Sequence, residues 1–290
     1  MKLKTIATGA LALIAAAALA ACGGDGGTAG TTAPSVNPSA SFADGSTMAK
    51  LKSAQKITIG TKFDQPLFGL MGPDGVPVGF DVEIGKLVAA ELGIPADKIE
   101  WVETVSQNRE PFIQNGQVDI VVATYTINDK RKEVIDFAGP YYIAGQSFLV
   151  AKGNPAGITS PQDLGDNVIC TVTGSTSEKN IKEFTSNVIT VDKYSDCLEP
   201  IRNGAAQALT TDNVILAGLV DQNGDEFEVV DETFTEEPYG IGLKKGDDDF
   251  RAFINDTLQS SFDDGAWAKA WEATAGKVLP TPEPPTIDRY

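Results

Sequence analysis

The amino-acid sequence predicts an α/β protein in which two lobes follow one another along the chain. Short runs of β-branched residues alternate with helical patterns from about residue 56 to residue 279. The alternation begins again after about residue 150, which indicates two successive units. This body is about 225 residues long, which is enough for one large domain or two small ones.

In the first unit, glycine and proline separate the predicted strands and helices. Residues 56–60 form a β-branched run that ends in glycine, and residues 118–123 form an apolar run typical of a buried parallel strand. A helix is predicted over residues 80–92, because apolar residues recur on one face and Gly93 follows. The remaining predictions are strands at 99–102 and 148–151, a helix at 107–115 and a turn at 71–75.

The second unit repeats this alternation of strands and helices. Strands are predicted at 168–172, 188–191, 206–211 and 239–244, and helices at 161–164, 178–185, 195–203 and 213–219. Two further helices are predicted between residues 248 and 275. There Trp267 and Trp271 stand four positions apart and therefore share one helix face.

The first 22 residues are typical of a secretory signal. Lys2 and Lys4 precede an apolar run of about 15 residues, which is shorter than the roughly 20 that cross a bilayer. Small residues then lead directly to Cys22, and this arrangement resembles the lipobox of bacterial lipoproteins. The resemblance implies that Cys22 is lipidated and anchors the protein to the outer face of the cell membrane. The alternative is an ordinary secreted protein with a free cysteine.

Two low-complexity segments flank the body. From residue 23 to about residue 46, glycine, threonine, serine, alanine and proline dominate, which predicts a flexible tether over residues 23–55. The proline-rich composition of residues 280–290 predicts a disordered tail.

Composition excludes several classes of function. The formal net charge is −17, so no basic surface is expected to bind nucleic acid non-specifically. The chain contains no histidine, which rules out Ser-His-Asp and Cys-His catalysis and removes the commonest metal ligand. Neither a metal nor a cofactor is expected.

Cys170 and Cys197 remain once Cys22 is assigned to lipid. An extracytoplasmic location favours a disulfide between them, and two buried free thiols are the alternative.

Polar side chains that suit a small zwitterion follow the ends of several predicted strands. In open α/β sheets, ligands bind beyond the carboxyl ends of the strands. A guanidinium suits a carboxylate, and a carboxylate suits an ammonium group. The residues concerned are Lys62, Thr124, Thr126, Arg131, Ser175, Thr176 and Asp212.

Several of these residues also have an ordinary structural explanation. Ser175, Thr176 and Asp212 precede helices and suit the role of helix caps. Arg131 lies between two lysines, as in a solvated surface cluster, and Lys62 and Arg109 carry no information alone. The convergence on strand ends favours the functional interpretation.

Three stretches of the body share their order and spacing with a known family. They are residues 78–82, residues 123–137 with 139–142, and residues 237–242. Together they resemble the polar amino-acid-binding proteins of ABC importers, over residues 56–276. The resemblance implies a periplasmic-binding-protein-like fold of type II, whose two α/β lobes are joined by a two-stranded hinge. It places lobe 1 at 56–144 and 240–279, and lobe 2 at 145–239.

By position, the resemblance also implies a role for each site residue. Arg131 would bind the α-carboxylate of an amino acid, and Asp212 would bind its α-ammonium group. Lys62 and Arg109 would face a side-chain carboxylate, which implies glutamate; glutamine, aspartate and asparagine stay open. Further contacts to the α-carboxylate would come from Thr124, Thr126, Ser175 and Thr176.

The expected function is therefore the capture of glutamate or a related amino acid outside the cytoplasm. A monomer without catalytic activity would deliver it to the permease of an ABC importer. Two alternatives remain. One is a dehydratase of the same fold acting on small acids, with carboxylates, lysines or tyrosines as acid–base groups. The other is a ligand-sensing input domain for a signalling partner.

Overall fold

A computed structural model describes residues 33–290 of the chain, and these residues belong to one compact unit. The predicted signal, Cys22 and residues 23–32 of the predicted tether lie outside the described residues. Within residues 33–290, no helix combines the length and the hydrophobicity needed to cross a membrane.

Strands and helices alternate along this part of the chain, as predicted. The strands are β1 (Ile57–Thr61), β2 (Asp64–Gln65), β3 (Gly69–Met71), β4 (Pro77–Val78), β5 (Ile99–Glu103), β6 (Ile120–Val121), β7 (Ile135–Ala144), β8 (Gln146–Ala151), β9 (Ile169–Val172), β10 (Val188–Val191), β11 (Ala208–Asp212), β12 (Phe227–Val229) and β13 (Glu237–Lys244). The α-helices are α1 (Thr47–Ala54), α2 (Phe80–Glu91), α3 (Arg109–Gln114), α4 (Asp129–Lys132), α5 (Thr176–Ile181), α6 (Leu198–Arg202), α7 (Asn213–Asn223), α8 (Asp248–Asp263) and α9 (Ala266–Ala273). Short 3-10 helices occupy Ala96–Lys98, Ser106–Asn108, Pro161–Asp163, Tyr194–Cys197, Gly224–Glu226 and Ala275–Lys277.

Lobe 1 is organised around a five-stranded sheet with the strand order β5-β1-β6-β13-β7. Strand β1 runs parallel to β5 and β6, whereas β13 is antiparallel to β6 and β7. The carboxyl ends of β1 and β6 therefore lie at the same edge of the sheet. Helices α2, α8 and α9 pack against one another in this lobe.

An aromatic cluster fills the core of lobe 1. Phe80 at the start of α2 is fully buried, and its ring lies edge-to-face at 5.6 Å from Trp267 and 5.1 Å from Trp271. The two tryptophan rings stack at 6.1 Å, as expected for side chains that share one helix face. The indole N–H of Trp267 donates to the carbonyl of Tyr141 at 2.9 Å. The cluster thus connects α2, α9 and β7.

Lobe 2 contains a second five-stranded sheet, in the order β10-β9-β11-β8-β12. Strand β9 runs parallel to β10 and β11, and β8 is antiparallel to β11 and β12. The chain passes between the lobes twice, from β7 to β8 and from β12 to β13. Since β7 and β13 pair with each other up to these crossings, they form a two-stranded connection. The predicted two-lobe α/β fold is confirmed.

The predicted disulfide is present in lobe 2. Cys170 of β9 and Cys197 are bonded, with their Cα atoms 5.7 Å apart, and both side chains are fully buried. The alternative of two free thiols is wrong. Closing a loop with a sequence separation of 27 restricts the unfolded chain, and in the chain-entropy treatment this stabilises the fold by about 3.5 kcal/mol.

Strand β7 is absent from the sequence prediction, although it is ten residues long. Pro140 lies in its middle and argues against a strand, because proline has no N–H to donate to a neighbour. In the structure, however, β7 is the last strand of its sheet, and proline is tolerated in an edge strand.

The segment before the body differs from the predicted flexible tether over residues 23–55. Helix α1 begins after Ser46, whose hydroxyl accepts the N–H of Ala49 at 3.1 Å. Met48 and Leu51 are three positions apart on this helix and are both buried. The end of the predicted tether is therefore an amphipathic helix and not a flexible segment. It packs on the body because its two apolar residues lie on one face and join the hydrophobic core.

The predicted disordered tail over residues 280–290 also differs from the structure. These residues form no helix or strand, as their prolines predict. Ile287 is nevertheless only 9% exposed, and the N–H of Asp288 donates to the carbonyl of Gly139 at 2.8 Å. Individual side chains hold this segment on lobe 1 in spite of its composition.

Candidate functional site

Arg131 is buried between the two lobes, so the alternative of a solvated surface charge is wrong. It belongs to α4, which begins where the side chain of Asn128 accepts the N–H of Arg131 at 3.0 Å. The guanidinium donates to the carbonyl of Thr126 at 2.6 Å and pairs with the carboxylate of Glu110 at 3.1 Å. A longer contact of 3.4 Å reaches the carbonyl of Gly174 in lobe 2.

A second guanidinium lies close to the first, with an aromatic ring in contact with both. Arg109 lies at the start of α3, and its guanidinium carbon is 4.1 Å from the ring centre of Tyr125. The guanidinium carbon of Arg131 is 4.8 Å from the same ring. Burial raises the pKa of Tyr125, so its hydroxyl stays protonated at neutral pH. The ring offers its electron-rich face to the two cations.

Lys62 supplies a third basic group at the carboxyl end of β1. Its ammonium donates to the hydroxyl of Ser106 at 2.9 Å, and the side chain is only 3% exposed. Arg109 contacts the same residue, because its Nε donates to the carbonyl of Ser106 at 3.2 Å. Burial, together with the neighbouring Arg109 charge, lowers the pKa of Lys62 to about 7.

Thr124 follows β6 in an unusual backbone conformation. Its φ is +43°, a region that β-branched residues rarely occupy. The surrounding contacts hold it there: its N–H donates to Asp81 at 2.8 Å and its hydroxyl donates to Gln65 at 2.9 Å. Such strain is frequently found at functional sites, and here the carbonyl of Thr124 lies 3.5 Å from the guanidinium of Arg109.

The hydroxyls of lobe 2 face this group of residues across the gap between the lobes. The hydroxyl oxygens of Thr176 and Thr126 are 3.4 Å apart. Ser175 is the N-cap of α5, since its hydroxyl accepts the N–H of Glu178 at 2.9 Å and donates to the carbonyl of Val172 at 2.7 Å. The capping alternative for Ser175 is therefore confirmed.

Asp212 behaves differently, although it also precedes a helix. Its side chain makes no capping hydrogen bond to α7; instead, Oδ2 accepts the hydroxyl of Tyr239 at 2.6 Å. The other oxygen, Oδ1, is buried without a hydrogen-bond partner among the described residues. Burial and the nearby charge of Glu237 raise the pKa of Asp212 to about 7. A buried carboxylate oxygen without a donor is a position where a cationic group would be stabilised.

A cavity of about 910 Å³ opens beside these residues. Its wall combines groups from both lobes, including Thr126, Arg131, Ser175 and Thr176. Lys62, Arg109, Thr124 and Asp212 do not line it and are almost completely buried. The structure thus brings all eight predicted residues to the junction of the lobes, four on the cavity wall and four in the adjoining interior.

Three consecutive residues of lobe 2 contact lobe 1 near the same junction. The pairs are Asp192 with the amide of Gln107 (3.1 Å), Lys193 with the carboxylate of Glu103 (2.5 Å), and the N–H of Tyr194 with the carboxylate of Asp64 (3.0 Å). We call residues 192–194 the bridging segment. Its last residue, Tyr194, begins the 3-10 turn that ends at Cys197, so the disulfide connects it to β9.

Several polar partners of the site carry no signal in the sequence. The predicted residues are held in place by Glu110, Ser106, Gln65 and Tyr239, which are not among the predicted site residues. Among residues 33–290, no group of three or more cysteine, aspartate or glutamate side chains is arranged to hold a metal ion.

Comparison with known proteins identifies relatives over most of the chain. The profile of the bacterial extracellular solute-binding proteins, family 3, matches residues 57–274. The ABC transporter glutamine-binding protein GlnH of Bacillus subtilis is 38% identical over 230 residues, covering 78% of this chain and 83% of GlnH. The glutamate-binding protein GluB of Corynebacterium efficiens is 40% identical over 225 residues, covering 73% of this chain and 76% of GluB.

A solved structure shows the same two-lobe architecture. It is the ancestral amino acid-binding protein AncCDT-1, described as a precursor of cyclohexadienyl dehydratase. It is 32% identical to this chain with a TM-score of 0.72, and the match covers 78% of this chain and 98% of AncCDT-1.

Proposed function

Because the chain belongs to family 3 of the bacterial extracellular solute-binding proteins, we propose that it captures an amino acid outside the cytoplasm and delivers it to the permease of an ABC importer. One observation carries this proposal. Three buried basic side chains, Lys62, Arg109 and Arg131, lie at the lobe junction, where one carboxylate oxygen of Asp212 has no hydrogen-bond partner within residues 33–290. A free amino acid supplies the matching charges, since it carries a carboxylate and an ammonium group.

In the proposed complex, each lobe contributes to the recognition of the backbone of the amino acid. Arg131 pairs with the α-carboxylate, supported by Thr124, Thr126, Ser175 and Thr176. Asp212 accepts the α-ammonium through its free oxygen. Because the hydroxyl of Ser175 already donates its proton to the carbonyl of Val172, it has little donor capacity left, and Thr176 is the stronger hydroxyl contact from lobe 2.

Glutamate is the proposed ligand, with glutamine as the second candidate. Lys62 and Arg109 are basic residues in addition to Arg131, and a carboxylate on the side chain of the ligand would compensate their positive charge. The relatives support both amino acids, since GlnH is a glutamine-binding protein and GluB is a glutamate-binding protein.

Calorimetric titration with glutamate, glutamine, aspartate and asparagine tests the proposal. We expect saturable binding that is tightest for glutamate. The variant Lys62→Met keeps the aliphatic stem and removes the charge, so it should weaken binding of glutamate more than binding of glutamine. Absence of binding for all four amino acids would contradict glutamate and glutamine as the ligands and would direct the search to other polar amino acids.

The pH dependence of the affinity distinguishes glutamate from glutamine more sharply than the affinities at a single pH. Burial lowers the pKa of Lys62 to about 7 and raises the pKa of Asp81, whose charge interacts with that of Lys62, to about 7. A ligand carboxylate beside them favours the protonated form of each, so between about pH 7 and 8 glutamate should take up more protons than glutamine on binding. The affinity for glutamate relative to glutamine should therefore fall as the pH rises. Asp212 contacts the same α-ammonium group in both ligands. Its change in protonation is therefore the same for both and does not contribute to the difference in proton uptake.

Titrations in two buffers of different ionisation enthalpy measure this proton uptake. Equal proton uptake for the two ligands would contradict the proposal that Lys62 and Asp81 lie near the side-chain carboxylate of bound glutamate.

The alternative of a dehydratase draws support from the description of AncCDT-1 as a precursor of such an enzyme. We propose that the present chain has no catalytic role, because GlnH and GluB, its relatives at 38–40% identity, bear the names of binding proteins. Turnover of a prephenate-like acid by the purified protein would contradict this. A sensing role is distinguished by its partner, since affinity capture would recover a sensor kinase instead of a permease.

We also propose that the protein is exported and lipid-anchored through Cys22, and that it acts as a monomer. The support is the signal pattern before Cys22 and the extracellular character of the family. Cells grown with labelled fatty acid should label the wild-type protein and not Cys22→Ser. Every proposed contact to the amino acid comes from one chain, and light scattering of the purified body should give the mass of a monomer.

A further inference from the structure

Residues 287–290 lie along the outer side of β7, the edge strand of lobe 1. The N–H of Phe137 donates to the hydroxyl of Tyr290 at 2.9 Å, and the N–H of Asp288 donates to the carbonyl of Gly139 at 2.8 Å. Ile287 is buried, at 9% exposure. We call residues 287–290 the strap. It supplies backbone groups of β7 with partners that a neighbouring strand would otherwise provide.

The strap also contacts α4, the helix that carries Arg131. The ammonium of Lys132 lies 3.9 Å from the ring centre of Tyr290 and 3.2 Å from the carboxylate of Asp288. The guanidinium of Arg251, from α8, lies 4.3 Å from the same Tyr290 ring. Lys245 completes the group, since its ammonium donates to the carbonyl of Lys132 at 2.5 Å. Lys132 is therefore held at both its side chain and its backbone.

Helix α4 needs such external contacts because it is only four residues long. A single helical turn is not stable alone, since its nucleation costs more than its few hydrogen bonds return. Its position is set by Asn128 at one end and by the contacts of Lys132 at the other. Arg131 is the residue next to Lys132, so a displacement of this end of the helix moves the guanidinium.

We propose that Tyr290 and Asp288 of the strap act through Lys132 as positioning residues for Arg131, and thereby set the affinity for the ligand carboxylate. This inference rests on the proposed function, in which Arg131 binds that carboxylate. The strap touches neither Arg131 nor the cavity wall, so its contribution is to the orientation of α4 and not to ligand contact.

The test is a double-mutant cycle on the binding of L-glutamate and L-glutamine. Tyr290→Ala and Lys132→Met are each measured in the wild-type background and in Arg131→Lys. We expect each single variant to weaken binding about three- to tenfold, the range typical of residues coupled to a site without touching its ligand. In the Arg131→Lys background the same changes should weaken binding by less than about twofold, because the geometry of the guanidinium no longer matters.

Arg289→Ala is the matched control, because Arg289 belongs to the same strap but pairs with Asp256 of α8 at 2.7 Å. It should leave the affinity within about twofold of the wild-type value. Thermal unfolding of each variant shows whether lobe 1 remains folded, and Lys132→Met serves if Tyr290→Ala does not fold.

Equal losses of affinity in both backgrounds, or the same loss in Arg289→Ala, would overturn the positioning role of the strap. If the single variant Arg131→Lys binds both ligands as tightly as the wild-type protein, the assigned contact between Arg131 and the ligand carboxylate is wrong. The proposed function on which the inference rests would then be rejected as well.

Discussion

Replacing Arg131 with alanine should raise the dissociation constant for L-glutamate and L-glutamine by about a hundredfold or more, as expected for the loss of a buried charge pair with a ligand carboxylate. The guanidinium is 7% exposed and already oriented by Thr126 and Glu110. Its removal would leave the ligand carboxylate without its assigned cationic partner. Calorimetric titration of the variant measures the change.

Lys130→Ala is the matched control for this experiment. Lys130 is the preceding residue and carries the same charge; it also lines the cavity, but its side chain is exposed to solvent. Its removal should change the dissociation constant by less than about twofold, because exposed charges are screened by solvent and salt. If Arg131→Ala behaved like Lys130→Ala, the assigned carboxylate contact would be wrong.

Replacing Phe80 with alanine should lower the free energy of unfolding by about 3–5 kcal/mol. The ring is fully buried and packs edge-to-face against Phe68, Trp267 and Trp271, so its loss leaves a cavity in the centre of lobe 1. Urea denaturation followed by tryptophan fluorescence measures the change, since two of the contacting rings are tryptophans.

Phe184→Ala provides the comparison for the same substitution on the surface. Phe184 is 46% exposed and lies in lobe 2, where its ring touches Phe234 at 6.1 Å. We expect a loss of less than about 1 kcal/mol, because little apolar area returns to water. A loss of similar size in both variants would show that the aromatic cluster of lobe 1 does not dominate the stability.

The sequence predicts the two-lobe fold because the signals for strands and helices are local. A β-branched run or an apolar stripe lies within one stretch of chain, and both patterns are present in each lobe. The failure at β7 has a different origin. Whether Pro140 is tolerated depends on the position of the strand in its sheet, and that position is decided by β13, about a hundred residues further along the chain.

The candidate site shows the same division between local and distant determinants. Ser175 and Asp212 look alike in the sequence, since each polar residue precedes a helix. Ser175 caps its helix through contacts within three residues, whereas Asp212 turns to Tyr239, 27 positions away. Likewise, the partner of Arg131 is Glu110, 21 positions earlier. No local pattern distinguishes these cases, because the partners meet only after the lobes have formed.

The bridging segment has a consequence for how long a bound molecule stays. Its contacts with Asp64, Glu103 and Gln107 exist only while the lobes touch, and none of these residues is among the proposed ligand contacts. They therefore favour the joined arrangement before any ligand arrives, and apparent affinity scales with the fraction of molecules in that arrangement. If the ligand leaves by separation of the lobes, the same contacts must break first. The residence time of the ligand, and with it the rate of its release, thus depends partly on side chains that do not contact the ligand.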